Sequence, residues 1–365
     1  MENQRCVEIF LQAIAPTTQY QYKIKLDKFL KWNKLKNYDD LLKADEKSIQ
    51  RNLEDYLIYL KGKYSPNYIP SLIVPLELFY TMNDVNLNTK RLHKMFPTKT
   101  KRGGYGTYTR EDISSMLNNT NKKRTKALIL FLSSTGCRVG VIPELKLGHI
   151  TNRENCKEVV CYAGDREEYI AFMTPEASKA FDDYTEERQQ DNEKLTSESP
   201  AFRKDYVIGS IPAGTMETDT VRCAVMVTLK DVKKTKTGTR FNIPALHGLR
   251  KFFNVTMKSR HDSNLSLCEK LMGHSVSIPL DNHYGTFSTE SLFEEYKKGI
   301  SHLTISSELR TKEELKQNVE ESENKQKQID KLESEKDIQM KKMQSQIDSV
   351  MELLERKETL DSSSD

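Results

Sequence analysis

A basic segment followed by glycines separates two stretches of helical periodicity, so it sets the domain organisation expected of this chain. Residues 90–102 read KRLHKMFPTKTKR, with six basic residues and no acid, and glycines follow at 103, 104 and 106. A run of this composition offers little apolar surface to bury and predicts a flexible linker. The chain has 365 residues, which is enough for two units that each have a core.

Residues 1–96 predict a small bundle of helices. The stretch TTQYQYKIKLDKFLKWNKL places apolar side chains at helical spacing, and Trp32 belongs to the expected core. A second helix is predicted in SIQRNLEDYLIYLKGK, with Ser48 as its N-cap and Gly62 near its end. A third is predicted over residues 66–82. The first domain is therefore expected to be helical.

Residues 109–305 predict a mixed, mainly helical domain with a small β-sheet. Thr109 is the expected N-cap of its first helix, and Gly136 ends an apolar helix. Strands are expected on both sides of the turn at Gly164. The remaining expectations are a short helix over 141–146, strands over 158–162 and 168–173, a helix entered through Thr174-Pro175, a polar loop over 191–222, a basic loop over 235–239, and helices over 246–257, 265–272 and 289–298.

The C-terminal tail, residues 306–365, predicts one long charged helix. No glycine or proline occurs between residues 306 and 356. Met340, Met343 and Ile347 keep a 3-4 spacing that leaves a coiled coil open, and DSSSD at the end predicts disorder. The predicted organisation is a helical domain over 1–96, a basic linker over 97–108, a mixed α+β domain over 109–305 and this tail.

Composition excludes several classes of protein. Charged residues make up 30% of the chain and the mean hydropathy is -0.68, and no run approaches the ~20 apolar residues of a membrane helix. The first residues show no signal peptide. Six cysteines are scattered without a CxxC pair, which predicts reduced thiols and a cytoplasmic location rather than zinc or disulfides. The net charge of +4 argues only weakly for nucleic acid.

Five side chains suggest chemistry on a phosphodiester. His247 and Arg250 lie three residues apart, His274 stands in LMGH, Tyr284 follows ten residues later, and Arg138 lies upstream in STGCRVG. Arginine presents a planar set of donors to phosphate oxygens, and histidine moves protons near neutrality. A tyrosine beside cationic donors can act as a covalent nucleophile. The set predicts a site that binds and attacks a phosphate.

The sequence resembles the catalytic domain of the tyrosine recombinases, or phage-integrase family, and within it the archaeal-type integrases. STGCRVGVIPELKLGHI, HGLRKFF and LMGHSVSIPLDNHY carry the resemblance, which spans roughly residues 20–305. It implies a helical DNA-binding domain followed by a mixed catalytic domain. Arg138 and Arg250 would then hold the scissile phosphate, His247 and His274 would assist, and Tyr284 would attack the phosphorus.

The resemblance also implies a mechanism and partners. The tyrosine forms a covalent bond to a DNA phosphate, and the hydroxyl of a second strand reverses that step. Neither a metal nor a cofactor is required, because the arginines stabilise the growing charge. The implied assembly is a homotetramer on double-stranded DNA recombination sites.

Two positions depart from the family pattern. The family usually has an acid three residues after the first arginine, where this chain has Val141, and Glu144 stands further along. It also places a lysine on the following hairpin, as general acid to the leaving oxygen. Here that turn reads AGDREEY, so Arg166 is the nearest cation, with Lys157 earlier in the hairpin. Which of the two replaces the lysine is left open.

Alternatives to this interpretation exist at the level of single residues and of the whole chain. Tyr296 rivals Tyr284 as the nucleophile, although its amphipathic surroundings favour a packing role. A type IB topoisomerase would use the same chemistry to relax supercoils. A DNA-binding protein with a decayed site would keep the basic segments and lose the reaction.

Two groups of basic residues predict contacts with DNA phosphates. Sequence-independent affinity for DNA comes largely from lysine and arginine that neutralise phosphates. One group lies in the linker and the other in KKTKTGT. The predicted DNA-binding residues are Lys99, Lys101, Arg102, Lys233, Lys234 and Lys236.

Overall fold

The computed structural model describes residues 5–100, 106–205, 214–232, 236–237, 240–274 and 287–361. The chain divides into two compact units, Met1–Gly104 and Tyr105–Asp365. This division falls within the segment predicted as the linker. Both units are mainly helical, and the described strands all lie in the second unit. The prediction of a mainly α fold with a small β-sheet is confirmed.

The first unit is a bundle of helices around an aromatic and aliphatic core. Phe10, Phe29 and Phe79 are fully buried in it. Trp32 is half-buried at the edge of this core, with its ring 5.0 Å from that of Tyr56. The helices are α1 (Arg5–Gln12), α2 (Pro16–Trp32), α3 (Glu46–Lys63), α4 (Ile69–Met82) and α5 (Thr89–Lys94), with a 3-10 helix at Tyr38–Leu42.

The start of α3 corrects a predicted cap. Asp45, not Ser48, is the N-cap: its carboxylate accepts from the backbone N–H groups of Lys47 and Ser48 at 3.1 Å. The Ser48 hydroxyl donates to the same carboxylate at 2.6 Å. Both side chains can cap a helix, but only Asp45 has the extended backbone that precedes the first turn. The prediction for Ser48 is therefore wrong.

The second unit holds the sheet and most of the long helices. Its strands are β1 (Ile150–Arg153), β2 (Cys156–Cys161), β3 (Tyr169–Met173), β4 (Lys236–Thr237) and β5 (Arg240–Phe241). Its helices are α6 (Arg110–Asn118), α7 (Lys123–Thr135), α8 (Pro175–Gln190), α9 (Thr218–Met226), α10 (Ala245–Lys258), α11 (Leu265–Leu271), α12 (Thr289–Lys297), α13 (Ile300–Leu303) and α14 (Ser307–Asp361), with 3-10 helices at Val139–Glu144 and Leu147–His149.

The main sheet has three antiparallel strands in the order β1-β2-β3. Val159 of β2 pairs with Ile150 on one side and Ala171 on the other. The β2–β3 hairpin, with Gly164 at φ 78, lies where the sequence predicted it. The prediction missed β1, because ITNR has only one apolar residue and is ordered by its pairing with β2.

Other differences from the predicted elements have local causes. The expected helix over 141–146 is a 3-10 helix, and Pro143 inside it lacks the N–H that a regular helix uses. Helix α9 begins inside the segment predicted as a loop. The prediction missed it because only two of its residues, Val221 and Val225, are buried, which gives a weak apolar pattern. Within the predicted basic loop over 235–239, residues 236–237 form β4, which pairs with β5. The other residues of that loop lie outside the described part of the chain.

The core of the second unit surrounds α7, in which Ala127, Leu128, Ile129 and Phe131 are fully buried. Helix α10 packs on α7. The predicted N-caps are confirmed for α6, where Thr109 forms a capping box, and for α8. The packing of α10 on α7 holds these two helices next to each other.

Buried charges tie together the elements that follow α10. Arg260 pairs with Glu295 of α12, and both side chains are almost fully buried. Glu295 also accepts from the backbone N–H of Asn264 at 3.0 Å, just before α11. Breaking a buried pair typically costs about 3–5 kcal/mol, because it leaves one charge unpaired. The pair thus keeps α11 and α12 beside the end of α10.

The long helix α14 is anchored at its start. The carboxylate of Glu176 accepts from the backbone N–H groups of Ile305 at 2.7 Å and Ser306 at 3.0 Å. At about 1.5 Å per residue, its 55 residues extend for about 80 Å. Among the described residues, no helix is both long and apolar enough to cross a membrane.

Candidate active site

Gly136 forms the turn that positions Arg138. It caps α7 with φ 60, and its N–H donates to the carbonyl of Leu132. A Cβ at this position would lie 2.4 Å from the ring of Phe253. Both the positive φ and the close approach require glycine. Two residues later, Arg138 starts the 3-10 helix, with a side chain that is 40% exposed.

Arg250 projects from α10 into the same region and is 5% exposed. Its Nη1 donates to the carbonyl of Gly136 at 2.5 Å, and its Nη2 donates to that of Met272 at 2.8 Å. The guanidinium therefore links the turn after α7 to the end of α11. Burial lowers the pKa of Arg250, and the positive charge of Arg138 adds to that effect.

The two guanidinium groups lie close enough for the charge of Arg138 to act on Arg250, and the region that they share with His274 is called the recess below. Arg138 forms a weak ion pair, 3.7 Å from Glu167, whose side chain is 70% exposed. Two like charges held near each other, one buried and one open to solvent, favour binding of an anion between them. An anion can displace Glu167 from Arg138 at little cost, because an exposed ion pair contributes at most about 1 kcal/mol.

His274 contacts Arg250 directly. Its Nε2 lies 2.7 Å from Nη2 of Arg250, and its Nδ1 lies 2.5 Å from a carboxylate oxygen of Glu269. Gly273 before it has φ 63, which turns the chain at the end of α11. The contact joins two of the predicted site residues that lie 24 positions apart.

His247 lies on α10, one turn before Arg250, and is partly exposed. Partial burial lowers its pKa, and the charges of Arg250, Lys251 and His274 lower it further. A lowered pKa keeps the imidazole neutral near pH 7, as a proton acceptor needs to be. His247, Arg250 and His274 thus share one region of the second unit, and Arg138 adds its charge there.

Tyr284 lies outside the described residues, whereas its rival Tyr296 is described and fully buried. The Tyr296 hydroxyl donates to the carbonyl of Ser134 at 3.0 Å, and its ring packs 5.4 Å from that of Phe172. Burial raises its pKa well above the usual value. A buried phenol that is bonded to the backbone is a packing residue and cannot reach a phosphate without unfolding.

The comparison with known proteins decides the family. Residues 107–289, half of the chain, match the phage integrase family. This chain belongs to the phage integrase family. It is a tyrosine site-specific recombinase. A separate comparison with curated proteins found no match to the sequence.

Solved structures of integrases and recombinases resemble this chain, and the one that reaches a TM-score of 0.50 shares its fold. The λ integrase tetramer bound to a Holliday junction has 13% identity and a TM-score of 0.50, over 74% of this chain and 76% of that one. The Tn1549 transposon integrase in complex with a circular intermediate DNA has 13% identity and a TM-score of 0.49, over 81% and 100%. XerA recombinase has 20% identity and a TM-score of 0.38, over 80% and 97%.

The two departures from the phage integrase pattern have clear surroundings here. Val141 is fully buried in the core, and Glu144 is exposed. The ammonium of Lys157 pairs with Asp182 at 2.9 Å and donates to the side chain of Asn152 at 2.7 Å. Arg166 is exposed on the β2–β3 hairpin, in the same loop as the partner of Arg138.

Sequence reasoning missed two residues of this integrase site. Glu269 bonds to His274, and its only signal is an acid five residues before the histidine on a short helix. Tyr169 packs its ring within 2.5 Å of where a Cβ on Gly273 would lie. Its hydroxyl is buried near the Cys161 thiol and the Arg250 guanidinium, and burial raises its pKa. Nothing local in the sequence marks Tyr169.

The predicted DNA-binding residues are only partly described. Lys99 is exposed in the first unit. Lys236 belongs to β4. Lys101, Arg102, Lys233 and Lys234 lie outside the described residues. Among the described residues, no cluster of His, Cys, Asp and Glu could hold a metal ion.

Proposed function

We propose that this recombinase cuts and rejoins DNA through a covalent 3′-phosphotyrosine bond, with Tyr284 as the nucleophile. One observation carries the proposal: the buried guanidinium of Arg250 contacts both His274 and the turn that bears Arg138. This brings into one recess three of the residues that a phosphate transfer without metal needs. The fourth, His247, stands one turn away on the same helix.

Each residue has a distinct part in the reaction. The Tyr284 oxygen attacks the phosphorus and gives its proton to His247, and the bond from phosphorus to the 5′-oxygen breaks. Arg138 and Arg250 stabilise the charge that grows on the non-bridging oxygens, and His274 donates to one of them. A 5′-hydroxyl of a second strand then attacks the phosphotyrosine and releases the phenol. No nucleotide is consumed, since each step exchanges one phosphoester for another.

Tyr284 is preferred because its rival is excluded. Tyr296 is buried and bonded to Ser134. The segment that carries Tyr284 begins after His274, which contacts Arg250, and ends before Phe287, which packs on the core of the same unit. The residues on both sides of Tyr284 thus belong to the unit that contains the recess.

The leaving 5′-oxygen needs a donor, and Arg166 is the better placed candidate. The ammonium of Lys157 is already paired with Asp182 and bonded to Asn152. Arg166 stands on the exposed hairpin near the Arg138 side of the recess. A guanidinium keeps its proton at any relevant pH, so Arg166 would stabilise the leaving oxygen by hydrogen bonding while water supplies the proton.

Capture of the covalent complex tests this function. A suicide substrate, whose nick lets the cleaved strand diffuse away, is incubated with the protein and extracted with phenol. Wild type and Tyr296→Phe should retain DNA in the protein phase, and Tyr284→Phe should bind DNA without retaining it. Retention that depends on Tyr296, or none with wild type on its own recombination site, would contradict the proposal.

The active assembly is proposed to be a homotetramer on two double-stranded DNA sites. Exchange of strands between two duplexes needs four cleavages. The fold is shared with λ integrase, which was solved as a tetramer on a Holliday junction. Native electrophoresis with DNA should show a complex of four protein chains. A complex that never exceeds one chain per site during recombination would contradict it.

The exposed apolar residues of α14 support pairing of tails as a coiled coil between copies. Ile329, Met340 and Met351 are spaced by 11 residues, and Leu332 and Met343 repeat that spacing; all five are exposed. Eleven residues make three helical turns, so these side chains form one stripe along the helix. A stripe of this kind is what a second copy of the same helix would bury.

A charged substitution inside the stripe, with a matched control outside it, tests the pairing. Met340→Glu with Met343→Glu should lower the average mass in light scattering. Ile338 lies nine residues after Ile329, two and a half turns away, and is exposed on the opposite face. Ile338→Glu should leave the mass unchanged. Equal effects of both changes, or no effect of either, would exclude the stripe as an interface.

The subtype and the biological setting follow from the same resemblance. The three motifs resemble the archaeal-type integrases, and such an enzyme would serve a mobile element or virus in the cytoplasm, where its DNA lies. Direct repeats at the ends of an inserted element that carries the gene would support this assignment. A gene without such repeats, next to a chromosome-dimer site, would point to dimer resolution instead.

A further inference from the structure

The carboxylate of Glu269 lies behind the recess, between Lys258 of α10 and His274. One carboxylate oxygen is 2.5 Å from Nδ1 of His274, and the other pairs with the ammonium of Lys258. The Glu269 side chain is 19% exposed. Its backbone carbonyl also accepts from the N–H of His274 at 3.0 Å. Glu269 thus holds both the backbone and the ring of His274.

The contacts of His274 determine which nitrogen carries the proton. Arginine only donates hydrogen bonds, so Nε2, at 2.7 Å from Nη2 of Arg250, must accept. The proton of a neutral ring therefore sits on Nδ1 and is donated to Glu269. The imidazole is clamped at both nitrogens, with the carboxylate on the side away from the arginine.

Arrival of a phosphate changes what His274 must do. A phosphate oxygen only accepts hydrogen bonds, so Nε2 has to carry a proton to contact it, and Nδ1 keeps its own for Glu269. That form of the ring is the imidazolium, and a carboxylate in contact with it stabilises the positive charge. Without the carboxylate, the ring would sit between cationic groups, which disfavours its protonation.

Lys258 keeps Glu269 ionised for this task. Burial acts to raise the pKa of Glu269, but the hydrogen bonds from Lys258 and His274 outweigh it, and the pKa lies below the usual value. The other charged or titratable groups that face the histidine are Arg250 and His247 of α10. Tyr169 of β3 packs on Gly273 beside it. Glu269 is the one acid found among these neighbours in the described residues.

We propose that Glu269 is a positioning residue: it fixes the orientation of His274 and stabilises its protonated form, so that Nε2 donates to the scissile phosphate. The inference rests on the proposed function, because it assumes that the recess binds that phosphate. The role belongs to the contacts that this chain makes.

Single-turnover cleavage of the suicide substrate, measured across a range of pH, tests the role. Glu269→Gln keeps the shape and removes the charge. Cleavage should fall about 10–100-fold, the range found for carboxylate partners of metal-bound histidines. Its dependence on pH should also differ from that of wild type, because an uncharged amide replaces the carboxylate that contacts Nδ1 of His274. Glu269→Asp should restore part of the rate, and Glu294→Gln, which removes an exposed partner of Lys297, should match wild type.

A second comparison separates positioning from folding. If Glu269 acts through His274, adding Glu269→Gln to His274→Ala should cause no further loss of cleavage. An additional loss as large as in the wild-type background, or an unchanged pH profile in Glu269→Gln, would overturn the inference. Failure of wild type to form any adduct would instead refute the proposed function. The two failures are therefore distinguishable.

Discussion

The guanidinium of Arg250 donates to the carbonyl of Gly136 across 114 positions of sequence. This bond joins α10, which carries His247, to the turn that carries Arg138. The carbonyl is available because Gly136 ends α7 in a left-handed conformation. The geometry of the recess therefore depends on one glycine and on the ring of Phe253 that packs over it.

Gly136→Ala should destabilise the fold and reduce cleavage together. An alanine there has an unfavourable φ and a Cβ 2.4 Å from Phe253, which together should cost about 2–5 kcal/mol. Gly164→Ala is the matched control: φ is +78, but nothing lies within 4 Å of the added Cβ. It should cost only about 1–2 kcal/mol. Thermal unfolding of both variants measures the difference, and equal shifts would contradict the role of Phe253.

Arg138 and Arg250 should differ in their effect on stability, not on chemistry. Loss of a donor to the growing charge typically costs a factor of ~100 or more in rate, so Arg138→Ala and Arg250→Met should both cleave poorly. Arg138 is partly exposed, and its removal should leave Tm unchanged. Arg250→Met leaves the carbonyls of Gly136 and Met272 unpaired, at about 1–3 kcal/mol each. An unchanged Tm for Arg250→Met would contradict this account.

A change of the leaving atom in the substrate shows which of Arg166 and Lys157 is the donor to the leaving 5′-oxygen. In a substrate with sulfur in place of the 5′-oxygen, the sulfur leaves without help from a hydrogen-bond donor. Arg166→Ala should therefore cleave the normal substrate slowly and the sulfur substrate at the wild-type rate. Lys157→Met should instead lower Tm, because Asp182 and Asn152 lose their partner. Rescue of Lys157→Met by the sulfur substrate would reverse the assignment.

Tyr296→Phe should keep the covalent adduct and change the response to alkali. Loss of the bond to Ser134 costs about 1 kcal/mol. The folded phenol has a raised pKa, so only the unfolded chain loses this proton above its pKa of about 10. Stability from Tyr296 is full below that pH and declines above it. The variant should lose stability less steeply in alkali than wild type, and an identical slope would contradict this role of Tyr296.

Salt dependence of DNA binding tests the predicted linker contacts. Each phosphate contact contributes about 0.9 to the slope of log affinity against log salt. Replacing Lys99, Lys101 and Arg102 by Ala should therefore reduce that slope by up to about 3. Replacing Lys31, Lys61 and Lys63, which lie in the first unit outside the basic run, gives a control with the same change in charge. The same reduction in both variants would show that net charge, not the linker, sets the slope.

Much of the fold could be predicted because its signals are local. Helical spacing of apolar residues located α2, α3, α7 and α10, and Thr109 and Thr174 marked two N-caps correctly. The error at Ser48 arose where two capping residues stand three apart, and backbone conformation alone decides between them. The strand β1 could not be predicted from ITNR, since its order comes from pairing with β2.

For the candidate site too, the sequence predicted one part and the tertiary structure decided another. Motif spacing named Arg138, His247, Arg250, His274 and Tyr284 from the sequence alone, because each motif is a short run of residues. The tertiary structure decided which partners those side chains have: Gly136 and Met272 for Arg250, Glu269 for His274, and Ser134 for Tyr296. The reason is physical, because hydrogen bonds and burial depend on distances between atoms that the packing of helices brings together, and no local pattern encodes those distances.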